Sequence, residues 1–329
     1  MDKEMKDKIK SLLKKRNAIM LAHNYQPPEI QDLADLCGDS LELSIKASQT
    51  DAEIILFCGV SFMAETASVL SPHKTVLLPR KDAGCPMADM VTPEELKAKL
   101  DKLGPIPVVT YVNSSAAVKA LSTICCTSAN ALDIVNSLDE KELIMVPDRN
   151  LALNTASRTD KKIHIWNGYC PIHNDLTPED VIIAKREHPD ALFMAHPECP
   201  PEIIDMADAA LSTSGMIRYA MESKSISFIV GTEIGLLYPL KRANPDKYFY
   251  PAALKMECGE MKKISLEDIV RSLEFMEGEI KVPEDIQRPA LKAVQRMIDL
   301  SQQLGSGFKV QGSRFKVKRR LTLNLELRT

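Results

Sequence analysis

The sequence predicts an α/β protein built from three similar α/β/α repeat domains, each with a small parallel sheet, set around a pseudo-threefold axis. Three observations lead there. Strand-like runs alternate with helix-like runs along most of the chain, the pattern of parallel sheets with crossover helices. Similar segments recur at offsets of 85 and 88 residues, and a repeat of about 85 residues is enough for a small domain. A cysteine follows the third strand-like run of each repeat, at Cys85, Cys170 and Cys258.

The elements repeat in order. Helix starts recur at Thr92 (TPEELKAKL), Thr177 (TPEDVIIAK) and Ser265 (SLEDIVRSL). Each has a hydroxyl residue followed three positions later by an acid, and two have proline in the first turn, which suits the free amides of a helix start. KEMKDKIKSLLKKR reads as the equivalent helix of the first unit. A first strand follows: AIMLAHNYQ (18–26), PVVTYVNSS (107–115) and ALFMAHPEC (191–199). This places His23, Tyr111 and His196 in one register. Helix starts rich in Ser and Thr come next, at CGDS, CTSAN and STSGM. The second strands are EIILFCGV (53–60), ELIMVPDR (142–149) and ISFIVGTE (226–233). SFMAETASVL, NLALNTASR and IGLLYPLKRA then read as helices, and TVLLPR, KIHIWNG and KYFYPA as third strands. The expected units are 1–85, 86–172 and 173–264, with residues 265–303 returning to complete the first. Residues 304–329, opening on GSG and carrying seven basic residues and one acid after Gly305, read as a non-native or disordered tail. The plainer alternative is a native basic tail that touches a partner.

Bulk properties exclude several classes. A net charge of −3 over 329 residues argues against bulk nucleic-acid binding. No apolar run approaches the ~18 residues of a membrane span, and MDKEMKDKIK is no secretory signal. Eight cysteines without a signal point to a reducing cytoplasm, where thiols serve metal or catalysis or are simply buried.

Parallel α/β sheets gather ligands beyond the carboxyl ends of their strands. Cys85, Cys170 and Cys258, at equivalent strand ends, could therefore converge. Three thiolates could hold zinc with one further ligand or an iron–sulfur cluster with one iron left open; the spacing does not choose. His173, in CPIH, is a candidate ligand or a neighbour of the ligands. Cys37, Cys58, Cys125, Cys126 and Cys199 break the rhythm and read as buried small side chains. Ser or Thr at a strand-to-helix turn is ordinarily an N-cap, and a strand-end histidine is as often a satisfied core residue. The shared register of His23, Tyr111 and His196 weighs the other way.

The chain resembles the quinolinate synthase family, on AHNYQ, GDSLELS, CGVSFMAETA, PRKDAGCPMAD, TYVNSSAAVKA, CCTSANA, PDRNLA, WNGYCPIH, HPEC, STSGM, GTEIGLLYPLKRANPDK and ALKMECGEMKKISLED, in family order from about residue 18 to 275. The resemblance implies one [4Fe–4S] cluster on Cys85, Cys170 and Cys258 with one open iron. It implies condensation of iminoaspartate with dihydroxyacetone phosphate to quinolinate, phosphate and water, within NAD biosynthesis. Substrate contacts would fall on His23, Ser40, Tyr111, Val112, Asn113, Ser128, His196, Pro197, Glu198 and Thr213. Tyr25 would stand beside the substrate for proton transfer. Glu198 is then the best general-base candidate, with His23 and His196 as donors or shuttles. A functional link to an aspartate oxidase or aspartate dehydrogenase is implied, and neither nucleic acid nor membrane. The rival readings are a zinc hydrolase, a non-catalytic iron–sulfur scaffold and a sugar-phosphate or dicarboxylate binder.

Overall fold

The computed structural model describes residues 2–305, so the expectation for the 304–329 tail lies almost wholly outside the described residues. The fold is α/β with three separate four-stranded sheets. The first holds β1 (Ala18–His23), β2 (Leu36–Gly38), β3 (Ile54–Cys58) and β4 (Thr75–Leu77) in the order β2-β1-β3-β4. The second holds β5 (Val108–Tyr111), β6 (Ile124–Cys126), β7 (Glu142–Val146) and β8 (Lys162–Ile165), ordered β6-β5-β7-β8. The third holds β9 (Leu192–Ala195), β10 (Ala209–Ala210), β11 (Ser227–Gly231) and β12 (Tyr248–Pro251), ordered β10-β9-β11-β12. Every ladder is parallel. The same order three times is the repeat expected from the sequence.

One strand per sheet was not anticipated. β2, β6 and β10 are two or three residues long and sit directly before the Ser/Thr-rich helix starts. Runs that short carry no alternation to detect, and the sequence CCTSAN reads as a turn as easily as a strand end. The helix starts at Thr92, Thr177 and Ser265 all close a capping box with Glu95, Asp180 and Asp268, each satisfying amides that the helix itself leaves free.

The central strands are apolar throughout. β3 is buried at all five positions, as befits a strand covered on both faces. Met194, Met216, Phe228 and Val230 of the third unit join one apolar cluster with Leu21, Ile55 and Phe62 of the first, so these two units share a core. The helix Leu266–Phe275 lies against the N-terminal helix Asp2–Lys15, where Arg16 donates to the carbonyls of Leu273 and Glu274. The helix Glu284–Gly305 lies against β6 and the helices Ser61–Leu70 and Ala116–Lys119, burying Ala293, Val294, Met297 and Ile298 among side chains of the second unit. No helix of the described residues is long and apolar enough to cross a membrane.

Gly278 closes the outer edge of the first sheet. Its carbonyl accepts the Leu78 amide at 2.9 Å, its φ is +91°, and an added Cβ would stand 2.3 Å from the Leu78 carbonyl oxygen. Both the backbone angle and the space admit only glycine. Gly278→Ala is expected to lower stability by about 2 kcal/mol or more, read as a fall in the urea midpoint with unchanged slope.

Candidate active site

The carboxyl ends of the three sheets meet at one cavity of about 240 Å³. It is lined by Cys85, Cys170 and Cys258, by His23, Tyr25, Ser40, Tyr111, Asn113, Ser128, His196, Glu198 and Thr213, and by His173 and Glu233. Of the residues singled out in the sequence, Val112 and Pro197 do not line it: Val112 is buried in the second unit's core, and the Pro197 carbonyl accepts Asn154 Nδ2.

Each cysteine is placed by the same two devices. The amide just past the middle strand ties back to the carbonyl two residues before the cysteine: Ser61 to Ala83, Arg149 to Gly168 and Ile234 to Met256, at 2.8, 2.7 and 2.9 Å. Beyond the cysteine the chain turns into a short helical segment, Ala88–Met90, Pro171–Asn174 or Gly259–Lys262, whose first amides favour the thiolate. Burial nevertheless dominates. It pushes the Cys85 thiol up to about 12 and raises Cys170 and Cys258 as well. Such thiols stay protonated until a metal displaces the proton. Among the described residues all eight cysteines are free. The donor set fits a thiophilic metal group: three thiols at equivalent places, lining one cavity, each opening a short helical turn.

The helix-start hydroxyls are not caps. Asp39 caps the helix Ser40–Gln49, accepting from Leu41 and Glu42, and Ser212 caps Thr213–Glu222, accepting from Gly215. Ser40 and Thr213 are the first helical residues behind those caps. Ser128 is likewise preceded by Thr127, whose hydroxyl accepts the Ala129 amide at 3.2 Å. Ser40 and Thr213 thus escape the cap, Ser128 stands ahead of the helix Ala131–Ser137 whose N-cap is Asn130, and all three line the cavity. Asn113 Oδ1 is buried there with no hydrogen-bond partner, an orphan acceptor of the kind that a ligand satisfies.

Two histidines are held neutral. Burial lowers His23 and His196 to about 3. The Nδ1 of His23 accepts the Tyr25 amide at 3.2 Å, and that of His196 accepts the Glu198 amide at 3.4 Å. The proton of each therefore sits on Nε2, leaving a neutral donor.

A hydrogen-bonded path runs through all three units. Tyr111 Oη donates to Glu198 Oε1 at 2.5 Å, and His173 Nδ1 lies 2.8 Å from Glu198 Oε2. His173 Nε2 lies 2.8 Å from Thr232 Oγ1, and Thr232 Oγ1 lies 2.6 Å from Tyr25 Oη. With the carboxylate taking the Nδ1 proton, Nε2 accepts, so Thr232 donates to His173 and Tyr25 donates to Thr232. Burial alone would raise the Glu198 carboxyl, but His173 and the bonds it accepts hold it below the usual carboxylate range. Burial, and then the Glu198 charge, raise Tyr25 and Tyr111 well above an ordinary phenol. The path thus joins one buried carboxyl to two phenols and an imidazole through hydrogen bonds. Sequence reading missed Thr232 and left His173 open, because the partners that make the path lie 25, 59 and 207 positions away. Asn150, whose Nδ2 donates to the Glu198 carbonyl at 2.9 Å, and Asp148 and Glu233 were missed too. The only signal for the last two is their offset of 85.

An α/β chain that gathers thiols, neutral imidazoles and a buried carboxylate at the strand ends of three sheets has the makings of an enzyme site, and its donor set is compatible with a bound metal. Comparison with known proteins gives the family. The model of the quinolinate synthetase A protein family (NadA) matches residues 7–299, and the chain belongs to that family. It is 57% identical over 295 residues to the quinolinate synthase of Geotalea uraniireducens, covering 90% of this chain and 97% of that one. It is 56% identical over 294 residues to that of Geobacter sp. strain M21, covering 89% and 97%. It is 53% identical over 291 residues to quinolinate synthase 1 of Methanosarcina acetivorans, covering 88% and 96%.

Proposed function

We propose that the protein condenses iminoaspartate with dihydroxyacetone phosphate to quinolinate, releasing phosphate and water. The observation that carries this is the meeting of three register-equivalent thiols with the Tyr25–Thr232–His173–Glu198–Tyr111 path in one cavity. Cys85, Cys170 and Cys258 would hold a [4Fe–4S] cluster. A cluster with three protein ligands leaves one iron open, and it supplies Lewis acidity for loss of a hydroxyl.

The chain's own groups divide the rest of the work. Both substrates are anionic, and Ser40, Ser128, Thr213 and Asn113 offer hydroxyls and an amide at the cavity wall for carboxylate and phosphate oxygens. Neutral His23 and His196 donate from Nε2 to substrate oxygens without adding charge. Tyr25 takes up a substrate proton as its own passes through Thr232 and His173 to Glu198, and the reverse flow returns it. The carboxylate and imidazole thus act together as the base, with the added proton belonging to the pair. In a cytoplasmic setting, an aspartate oxidase or aspartate dehydrogenase would supply the imine.

A second reading has a specific observation behind it. The ligand atoms of Cys170, His173 and Glu198 lie within 4.8 Å of one another, a spacing that a single zinc ion with an open position could bridge. One experiment separates the two. Protein prepared without oxygen should be brown, carry about four iron and four sulfide per chain, and form quinolinate only when both substrates are present. Colourless, zinc-bearing protein would overturn the cluster reading, and a cluster-bearing protein that forms no quinolinate would overturn the reaction.

A further inference from the structure

We propose that three carboxylates, Asp148, Glu233 and Glu260, are positioning residues that each hold one cysteine loop in its ligating orientation: Asp148 for Cys170, Glu233 for Cys258 and Glu260 for Cys85. The proposal rests on reading those cysteines as ligands.

Asp148 and Glu233 occupy equivalent places. Each is the second residue after its middle strand, β7 or β11, immediately before the amide that ties back to the cysteine loop. Both are almost fully buried. Asp148 Oδ2 accepts the amide of Cys170 at 3.1 Å, while its Oδ1 accepts Leu151 at 2.6 Å. Glu233 Oε1 accepts the amide of Cys258 at 3.2 Å, its Oε2 accepts Gly235 at 2.8 Å, and Lys262 Nζ stands 2.8 Å from Oε1. The backbone ties common to all three units dock the loops. The carboxylate does something further, because it grips the peptide of the cysteine itself and so sets the direction of its Cα–Cβ bond. A bond to a carboxylate is stronger than one between neutral groups, and a ligand must be oriented before the metal arrives if assembly is not to bear that cost.

The first unit breaks the pattern in a telling way. Its equivalent residue is Val60, which has no acceptor. There the carboxylate comes from the opposite side: Glu260, two residues past Cys258, accepts the amide of Gly84 at 2.7 Å, next to Cys85. Lys263 holds Glu260 at 2.7 Å and reaches the Asp82 carbonyl at the same distance. The Cys85 loop is therefore positioned from the Cys258 loop. Lys262 extends the linkage, since it pairs with Glu233 and also donates to the Tyr25 carbonyl.

The test is cysteine-specific alkylation of the full chain after its metal has been removed by chelation, followed by mass spectrometry of each cysteine peptide. Asp148→Ala should raise the labelling rate of Cys170 about tenfold, Glu233→Ala that of Cys258, and Glu260→Ala that of Cys85, each with little change at the other two. Asp148→Asn, Glu233→Gln and Glu260→Gln, which lose the charge but keep an acceptor, should change the rate threefold or less. The conservative variants also keep the question answerable if an alanine variant fails to fold. Wild-type labelling rates in folded alanine variants, equal effects of the conservative and alanine variants, or a uniform rise at all three cysteines would each overturn the proposal. In reconstituted protein the alanine variants should also lose iron to a chelator faster than wild type. If wild type holds no iron–sulfur cluster, the functional reading fails, but the labelling pattern still decides this one.

Discussion

Replacing Glu198 by glutamine should lower kcat about 100-fold or more, on the order of 3 kcal/mol of barrier, while iron content and substrate binding stay near wild type. Glutamine keeps the length of the side chain and one oxygen, which can still accept from Tyr111. Its NH2 then faces His173 Nδ1, now 2.8 Å from the carboxylate oxygen. Two donors cannot share that contact, so the Nδ1 proton is left to Cys170 Sγ, 3.2 Å away, and the path ends without its carboxylate. Tyr25 then loses the acceptor chain that drew its proton away. The variant should bind because the proposed anion contacts, Ser40, Ser128, Thr213 and Asn113, do not touch this path. Single-turnover quinolinate formation without oxygen, with KM and iron measured on the same preparation, gives the answer. An unchanged kcat would take the carboxylate out of the proton path, and lost iron would make Glu198 part of the metal site instead.

The sequence carried the repeat because apolar strands and strand-end cysteines obey local rules. A buried parallel strand must be apolar, and IILFC, ELIMV and SFIVG show it without any tertiary knowledge. The offset between Cys85, Cys170 and Cys258 then puts three thiols at one sheet end, and the structure brings them to one cavity. What escaped was either too short or too distant. β10 is two residues long, below any periodicity. Thr232 reads as a polar residue after a strand and becomes part of a path only through His173 and Tyr25, in contact across 59 and 207 positions. Ser40 and Thr213 illustrate a subtler limit: a helix start shows which hydroxyls are near the cap, but the cap fell one residue earlier, on Asp39 and Ser212. Composition cannot settle a one-residue choice. Side-chain geometry does.

Serine in place of Cys85, Cys170 or Cys258 should leave the chain folded and nearly without iron, below about a tenth of the wild-type content. The three sites are not interchangeable with the other cysteines. Cys58, Cys125, Cys126 and Cys199 are fully buried in apolar surroundings, and Cys199 already lies 3.5 Å from the Gly231 carbonyl. Cys37 is half-buried but lies 3.2 Å from the Gln31 carbonyl and does not line the cavity. None of these can replace a lost thiolate without moving a strand. A serine hydroxyl cannot replace it either, because it is a hard ligand that does not ionise near neutral pH, whereas iron–sulfur sites are held by thiolates. Removing one of three ligands therefore leaves two, which is too few to retain the cluster against chelation. Cys37→Ser and Cys199→Ser should keep full iron and colour, although Cys199→Ser buries a hydroxyl and should cost some stability. Iron, sulfide and the visible spectrum of anaerobically reconstituted protein, with circular dichroism to verify folding, distinguish the outcomes. Full iron in Cys170→Ser would remove that residue from the ligand set. Loss of iron in a folded Cys199→Ser would mean that the cluster is anchored outside the three register-matched strand ends, and the argument from the repeat would fail with it.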